Sequence, residues 1–332
     1  MNKGDIERLF DDMQHLHVVV VGDVMLDTYR WGIIERMSPE APVPVVSVKN
    51  KDARLGGAAN VALNCKALGA KVTLASVIGN DTEGLELLQL AAEAGINTSL
   101  IMQSKYRPTT TKMRIIAGDK HVVRLDEEVC DDLLIEEEHP FLDMVMRFLQ
   151  IEKPDVVIFE DYNKGVLKEN VIHRLVAHCG EIGIITTVDP KYRNFLAYKD
   201  VTVFKPNLKE VREGLGLNLD DLNTESLNSV HIRLKKELNH HVTFITLSEK
   251  GVYFSNGNSA IIPSHVRDIK DVSGAGDTVI ATASIVYALT KNAAVMAAIS
   301  NIAGGLVCEH VGVVPIDKQQ LLAECERIIK ET

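Results

Sequence analysis

Positive charge is in short supply in this chain: 36 Lys and Arg stand against 46 Asp and Glu, a formal net charge of −10. That balance excludes general nucleic-acid binding, which needs a concentrated cationic surface. An anionic small molecule would need a local basic pocket. The five cysteines (Cys65, Cys130, Cys179, Cys308 and Cys325) form no CxxC pair. Their number and spacing suit neither a zinc site nor a disulfide framework, so they read as reduced, buried thiols. No apolar run approaches the roughly 18 residues needed to span a bilayer. The N-terminus, MNKGDIERLFDDMQHL, is charged and helix-like, unlike a signal peptide. The expectation is a cytoplasmic protein with no membrane or nucleic-acid partner. Internal repeats, low-complexity segments and a dividing linker are also missing, so residues 1–332 read as a single domain. Aromatics are few, at 5%, but the hydrophobic total of 46% is ample for a large core.

What is present alternates between strand and helix. HVVVVGD (17–23), KVTLASVIG (71–79), PDVVIFED (154–161), IGIITTVDP (182–190), VTVFKPN (201–207) and HVTFITLSEKG (241–251) are short apolar runs of the kind buried on both faces of a sheet. Helical patterns such as 56–69 and 82–95 lie between most of them. This order predicts an α/β fold with a mainly parallel central sheet and helices on both faces. Two stretches break the rhythm, about 30–50 and 98–125. There, short strand-like runs follow without helices, and TTTKMRII and KHVVRLD around Gly118-Asp119 read as a β-hairpin. They predict a small β lid standing off the main sheet.

In open parallel sheets ligands collect at the carboxyl ends of the strands. Here those ends carry Asp23 and Asp27, Asp161, Asp189 with Lys191, Asn207 with Glu210, and Ser248 to Gly251. The most informative stretch is DVSGAGDT (271–278). Gly274 and Gly276 let backbone amides turn toward an anion at the start of an apolar helix, where the dipole is positive. A carboxylate there, Asp277, would repel a phosphate, unless its task is to take a proton from an attacking hydroxyl. The plainer reading is a first-turn acid stabilising its own helix. A second glycine-led helix start, Gly56-Gly57 before Asn60, could bind sugar hydroxyls together with Asp23 and Asp27, or merely allow close packing. Asn207 and Glu210 suit a hydrated cation and phosphate, or a capping box.

With GG at 56–57, NxxE at 207–210 and DxxGAGD at 271–277 in this order, the chain resembles the ribokinase-type PfkB carbohydrate kinases over nearly its whole length. The resemblance implies a ribokinase-like fold, with Asp277 as catalytic base and an anion hole at Gly274, Ala275 and Gly276. It implies ATP at Asn207, Leu208, Lys209, Glu210, Ser248, Gly251 and Asn301, with Lys191 placed at the phosphates. Mg²⁺ would sit at Glu210 through water, and K⁺ at Asp271. Sugar contacts would come from Asp23, Asp27, Gly56, Gly57, Asn60, Arg114 and Asp161.

Residues 22–46 and RLGGAANVA (54–62), with EDYNKG (160–165) and VDPK (188–191), are similar to one subgroup, the bacterial D-glycero-β-D-manno-heptose-7-phosphate kinases. This implies phosphorylation of the anomeric O1 for ADP-heptose and lipopolysaccharide core synthesis. The alternative is a PfkB-type kinase of another sugar or sugar phosphate. A non-catalytic binding protein on the same scaffold would be expected to lose the base or the anion hole, and both are intact here. Glu160 departs from that subgroup's serine and Ser273 from its threonine. Arg36, Arg54, Lys112, Arg114 and Arg124 are the candidate cations for the substrate's phosphate. No HxGH-type nucleotidyltransferase motif is present, so only the kinase step is expected. The lid suggests a homodimer.

Overall fold

The computed structural model describes residues 2–118, 120–219, 221–265 and 267–331. Asp119, at the tip of the expected hairpin, lies outside them. Ten helices are described: α1 (Lys3–Asp12), α2 (Ala58–Ala67), α3 (Thr82–Glu93), α4 (Ile135–Glu152), α5 (Glu169–Glu181), α6 (Leu208–Leu215), α7 (Thr224–Leu238), α8 (Ala275–Thr290), α9 (Ala293–Val307) and α10 (Lys318–Glu331). The strands are β1 (His17–Gly22), β2 (Val24–Met37), β3 (Pro44–Gly57), β4 (Lys71–Gly79), β5 (Asn97–Ser104), β6 (Thr111–Ala117) and β7 (Lys120–Glu127). They continue as β8 (Val156–Glu160), β9 (Ile185–Asp189), β10 (Val203–Phe204), β11 (Val242–Thr246), β12 (Val252–Ser255) and β13 (Ser259–Ile262).

Nine strands form one sheet in the order β13-β12-β11-β10-β9-β8-β1-β4-β5. Neighbours from β5 through to β11 pair in parallel, and β12 and β13 close the edge as an antiparallel hairpin. Because side chains alternate along a strand, β1 sends Val18 and Val20 into one core and Val19 and Val21 into the other. The first core is covered by α2, α8, α9 and α10, the second by α4, α5 and α7. This is why the central strands read as unbroken apolar runs.

The second sheet has the order β3-β2-β6-β7. Its long hairpin, β2 with β3, leaves the body directly after β1 and returns at Gly57, where α2 begins. Two expectations need correction. Residues 98–104 are not lid: they form β5, the parallel edge strand on β4. The lid's second segment is therefore β6 with β7. The lid's first segment is also longer than 30–50, because β2 starts at Val24 and β3 ends at Gly57. Among the described residues no helix is long and apolar enough to cross a membrane.

Candidate active site

The parallel strands end together along one edge, and α8 points its N-terminus at that edge. Gly274 caps it in the left-handed conformation (φ 80°), where a Cβ would strain the backbone and would lie 3.1 Å from Asn60 Nδ2. The first i→i−4 bond of the helix runs from Thr278 N–H to the Gly274 carbonyl, at 3.0 Å. The amides of Gly276 and Asp277 precede it and have no intrahelical acceptor. The Ala275 amide does not join them: it donates to the Val272 carbonyl at 3.2 Å, which removes it from the expected anion hole. Thr187 and Ser284 share a buried hydrogen bond of 2.6 Å that pins the middle of α8 to β9.

Asp277 is buried in the first turn of α8. Asn60 Nδ2 donates to its Oδ2 at 2.7 Å, and the Tyr162 hydroxyl donates to its Oδ1 at 2.9 Å. Burial pushes the carboxyl up to about 6, against these two hydrogen bonds, which favour the charged form. Asn60 was expected on the sugar; its amide is instead committed to the carboxylate. Asn64, one turn on, holds Asn60 through its backbone oxygen at 2.9 Å and accepts from Thr278 at 3.0 Å, so α2 and α8 are locked around Asp277.

Behind the start of α8 lies a row of charged groups. Glu160 on β8 stands directly opposite Asp189 on β9, and Lys205 follows β10 at the same level. Lys205 is 2% exposed and its ammonium is 2.6 Å from Asp189 Oδ2. A Cβ built at Gly276 would lie 3.7 Å from that oxygen and 3.9 Å from the ammonium, so the pair abuts the helix start. Lys191 bonds Glu210 at 2.7 Å, with the Tyr162 ring 5.0 Å from its nitrogen. Burial works against its charge, but Asp189 and Glu210 together hold it above the ordinary lysine range. Among the described residues, neither Glu160 oxygen has a hydrogen-bond partner. Burial first, then Asp189 and Asp277, hold this carboxyl well above the ordinary range.

Asp27, on β2, is buried at the root of the lid. Arg114 reaches it from β6, with a contact of 2.5 Å. Gly56 passes so close that a Cβ would sit 2.3 Å from Asp27 Oδ2, and Gly57 turns at φ 58° into α2. The glycine pair therefore brings the chain over Asp27. Tyr29 lies beneath the guanidinium groups of Arg54 and Arg114, at 5.0 and 5.3 Å from its ring centre. Of the other candidate cations, Lys112 pairs with Asp126 and Glu128, and Arg124 with Asp126.

Two expected sugar ligands are occupied elsewhere. Asp23 accepts the backbone N–H groups of Tyr162, Lys164 and Val166 at 2.9–3.1 Å. Asp161 accepts from the Tyr198 hydroxyl, Asn194 and its own loop's Asn163 amide, and burial lifts it to about 7. Both carboxyls organise the loop that carries Tyr162.

On the nucleotide side, Asn207 caps α6 and Glu210 completes a reciprocal capping box. Leu208 opens the same helix, whereas the Lys209 side chain is 81% exposed and near Glu213. Ser248 (φ 55°) and Gly251 (φ 93°) bound the turn between β11 and β12. Asn301 on α9 donates to the Pro263 carbonyl at 2.8 Å. Asp271 accepts the amides of Ser273 (2.9 Å) and Gly312 (2.8 Å), tying the glycine loop to residues 311–314; these bonds, against burial, hold it below the usual carboxylate range.

The arrangement is a buried proton acceptor beside the Gly276 and Asp277 amides and two lysines, the requirements of a kinase that transfers a phosphoryl group to a hydroxyl. The family comparison agrees: residues 15–319 match the pfkB family carbohydrate kinase, and the chain belongs to that family. It is accordingly a phosphotransferase acting on a sugar hydroxyl. Among curated relatives it is 37% identical over 298 residues to the bifunctional protein HldE of Campylobacter curvus, covering 90% of this chain and 62% of that one. It is 39% identical over 329 residues to HldE of Methylobacillus flagellatus, covering 96% and 66%. The chain thus spans slightly less than two thirds of the length of these relatives. Among solved structures, the fold is shared with the ribokinase of Arabidopsis thaliana complexed with ribose and ATP, at a TM-score of 0.71 and 16% identity, covering 92% of this chain and 98% of that one. It is shared equally with phosphofructokinase-2 of Escherichia coli in complex with potassium, at a TM-score of 0.74 and 16% identity, covering 93% and 99%.

Sequence reading missed Tyr162, Lys205 and the Asn60–Asp277 contact. KPN at 205–207 held the signal for the lysine, since a charge directly after a buried strand must find a partner. Nothing local marks the other two, whose partners are 115 and 217 residues away.

Proposed function

We propose that this kinase transfers the γ-phosphoryl group of ATP to the anomeric O1 of D-glycero-β-D-manno-heptose 7-phosphate, giving the 1,7-bisphosphate used for ADP-heptose and lipopolysaccharide core synthesis. The observation that carries the chemistry is Asp277, buried with its carboxyl raised to about 6 at the start of a helix whose Gly276 and Asp277 amides have no intrahelical acceptor. The likeness to the HldE relatives, over the kinase-matching part of their length, supports the sugar.

In this reading the sugar lies over Gly56-Gly57 and Asp27, beneath the lid. Asp277 takes the proton from O1 as that oxygen attacks phosphorus in line. The Gly276 and Asp277 amides, with Lys205 and Lys191, stabilise charge on the moving group. Nucleotide contacts would come from Asn207 and Leu208 at the start of α6, the Ser248–Gly251 turn and Asn301. Arg54 and Arg114, beside Tyr29, are the cations best placed for a sugar phosphate.

Among the described residues no three acidic, histidine or cysteine side chains gather as a metal cage. Glu210 alone, already holding Lys191 and the Asn207 amide, fits a magnesium ion carried by phosphates and water. When bound, that ion would neutralise phosphate charge. Asp271 is the carboxylate a monovalent cation would use, and a potassium-dependent rate would show it.

The test is ATP-dependent ADP release over a panel of β-heptose 7-phosphate, its α-anomer, fructose 6-phosphate and ribose. Turnover confined to the β-heptose phosphate is expected. Turnover with fructose 6-phosphate or ribose instead keeps the kinase and removes the heptose. Asp277→Asn should lower kcat by about 10²–10⁴-fold; an unchanged rate would remove the base.

A further inference from the structure

Asp277 is held by two donors of different character. Asn60 approaches Oδ2 from the interior of α2, fully buried and fixed in turn by Asn64. Tyr162 approaches Oδ1 from a loop rather than from a helix. That loop, residues 161–166, is held by carboxylates: Asp23 takes the amides of Tyr162, Lys164 and Val166, and Asp161 takes that of Asn163. The Tyr162 ring lies against the Lys191 ammonium at 5.0 Å, so the ring is held as well as the backbone. This tyrosine is therefore presented to the carboxylate by a built support. The mechanism above gives it no task.

Its hydroxyl has one feature that matters for a base. A donor on a carboxylate oxygen stabilises the charged form, so it makes the carboxylate easier to ionise and weaker as a base. The same donor fixes which way the carboxylate plane faces. Oδ2 is tied down by Asn60 from the fully buried α2, whereas Oδ1, on the side of the loop, keeps a second lone pair for an incoming sugar hydroxyl beside the Tyr162 donor.

We propose that Tyr162 is a positioning residue that presents Oδ1 of Asp277 to the sugar hydroxyl and keeps that carboxylate ionised until the substrate arrives. Tyr162 keeps its own proton throughout: burial, then the nearby carboxylate of Asp277, hold the phenol well above its ordinary range. When the sugar O–H bond breaks and its oxygen bonds to phosphorus, the proton ends on Oδ1. The hydroxyl of Tyr162 then rotates to accept from that oxygen instead of donating to it. The inference rests on Asp277 being the base.

The groups facing Asp277 from every side are Glu160 and Tyr162 from β8 and its loop, Asp189 and Lys191 from β9, Lys205 from β10, and Asn60 from α2. Replacing the Tyr162 hydroxyl deletes a neutral donor and leaves every charge, and the Asn60 donor, in place. The experiment is the pH dependence of kcat/KM for Tyr162→Phe, which reports the free enzyme's base. The wild type should lose activity as pH falls through about 6. In the variant a lost donor raises the carboxyl, so the fall should begin higher, by about one pH unit for a hydrogen bond to a charged group. At high pH, where Asp277 is ionised in both proteins, the variant should level off below the wild type, because its carboxylate is no longer held facing the sugar hydroxyl. An acid limb that stays in place, with or without a change in thermal stability, overturns the proposal. Asp277→Asn run alongside separates the two ideas. If that variant is unimpaired, the base assignment fails. If it is inactive while the Tyr162→Phe limb is unmoved, only the role of Tyr162 fails.

Discussion

Glu160 and Asp189 stand side by side on adjacent parallel strands, about 4.8 Å apart by sheet geometry, and the cations of the row, Lys205 at 2.6 Å and Lys191 at 3.8 Å, both pair with Asp189. Two like charges in that position repel, and that repulsion adds to burial in raising the Glu160 carboxyl. Its carboxyl is raised in the folded state, so unfolding above pH 4.5 releases a proton. Stability from this group is present in full below its unfolded value and falls as pH rises toward its folded value. Glu160→Gln removes that penalty while keeping a neutral side chain of the same shape. The variant should therefore match the wild type near pH 4 and become progressively more stable above it, by about 1.4 kcal/mol per pH unit at most. Denaturant unfolding at several pH values measures the gap, and a gap that stays flat with rising pH would show Glu160 to be ionised. At this scale the sequence was informative where the chemistry is local. Gly274, Gly276 and Asp277 announce themselves because a left-handed glycine and a first-turn acid are neighbours in the chain. Asn60 and Tyr162 do not, because their meaning lies in contacts across more than 100 residues.

Elements were legible wherever burial left a period. The parallel strands read as apolar runs because both their faces are covered, and α2 and α3 were bounded by glycines and caps that the structure repeats. The reading failed where two environments share one pattern. Asn97–Ser104 alternates like a lid strand, but it alternates because it is the edge of the main sheet. Asp23 illustrates the same ambiguity: an acid at a strand end suits a sugar hydroxyl or a loop amide equally well. Its contacts decide for the loop, and they give a test. Asp23→Asn retains one acceptor oxygen and turns an NH₂ toward amides that also donate, so part of the 162–166 loop loses its partners. The cost should be about 2 kcal/mol, seen as a lower midpoint of thermal unfolding. Activity should fall with it, because Tyr162 rides on that loop. An unchanged midpoint would return Asp23 to the pool of sugar ligands.

The whole molecule presents the lid as a sheet with two unlike faces. Side chains alternate across it, so Asp27, Tyr29, Lys112 and Arg114 share the face toward the candidate site, while Met113, Ile115, Val123 and Leu125 share the other. Val123 and Leu125 are 42% and 52% exposed. A group of aliphatic side chains on one projecting sheet is costly to leave in water. We propose that a second copy covers it, lid against lid, so that each lid is held in place over its own sugar site. Light scattering should then give twice the 36.6 kDa chain mass at micromolar concentration. Leu125→Lys places a charge at the centre of the covered face and should yield a monomer. Because Leu125 points away from Asp27, the chemistry itself should survive, and the loss should appear in KM for the sugar, with kcat changed less. A wild type that stays monomeric across the concentration range would leave the apolar face of the lid without this partner. A monomeric variant with unchanged KM would instead show that the lid closes over the sugar without help from a second copy.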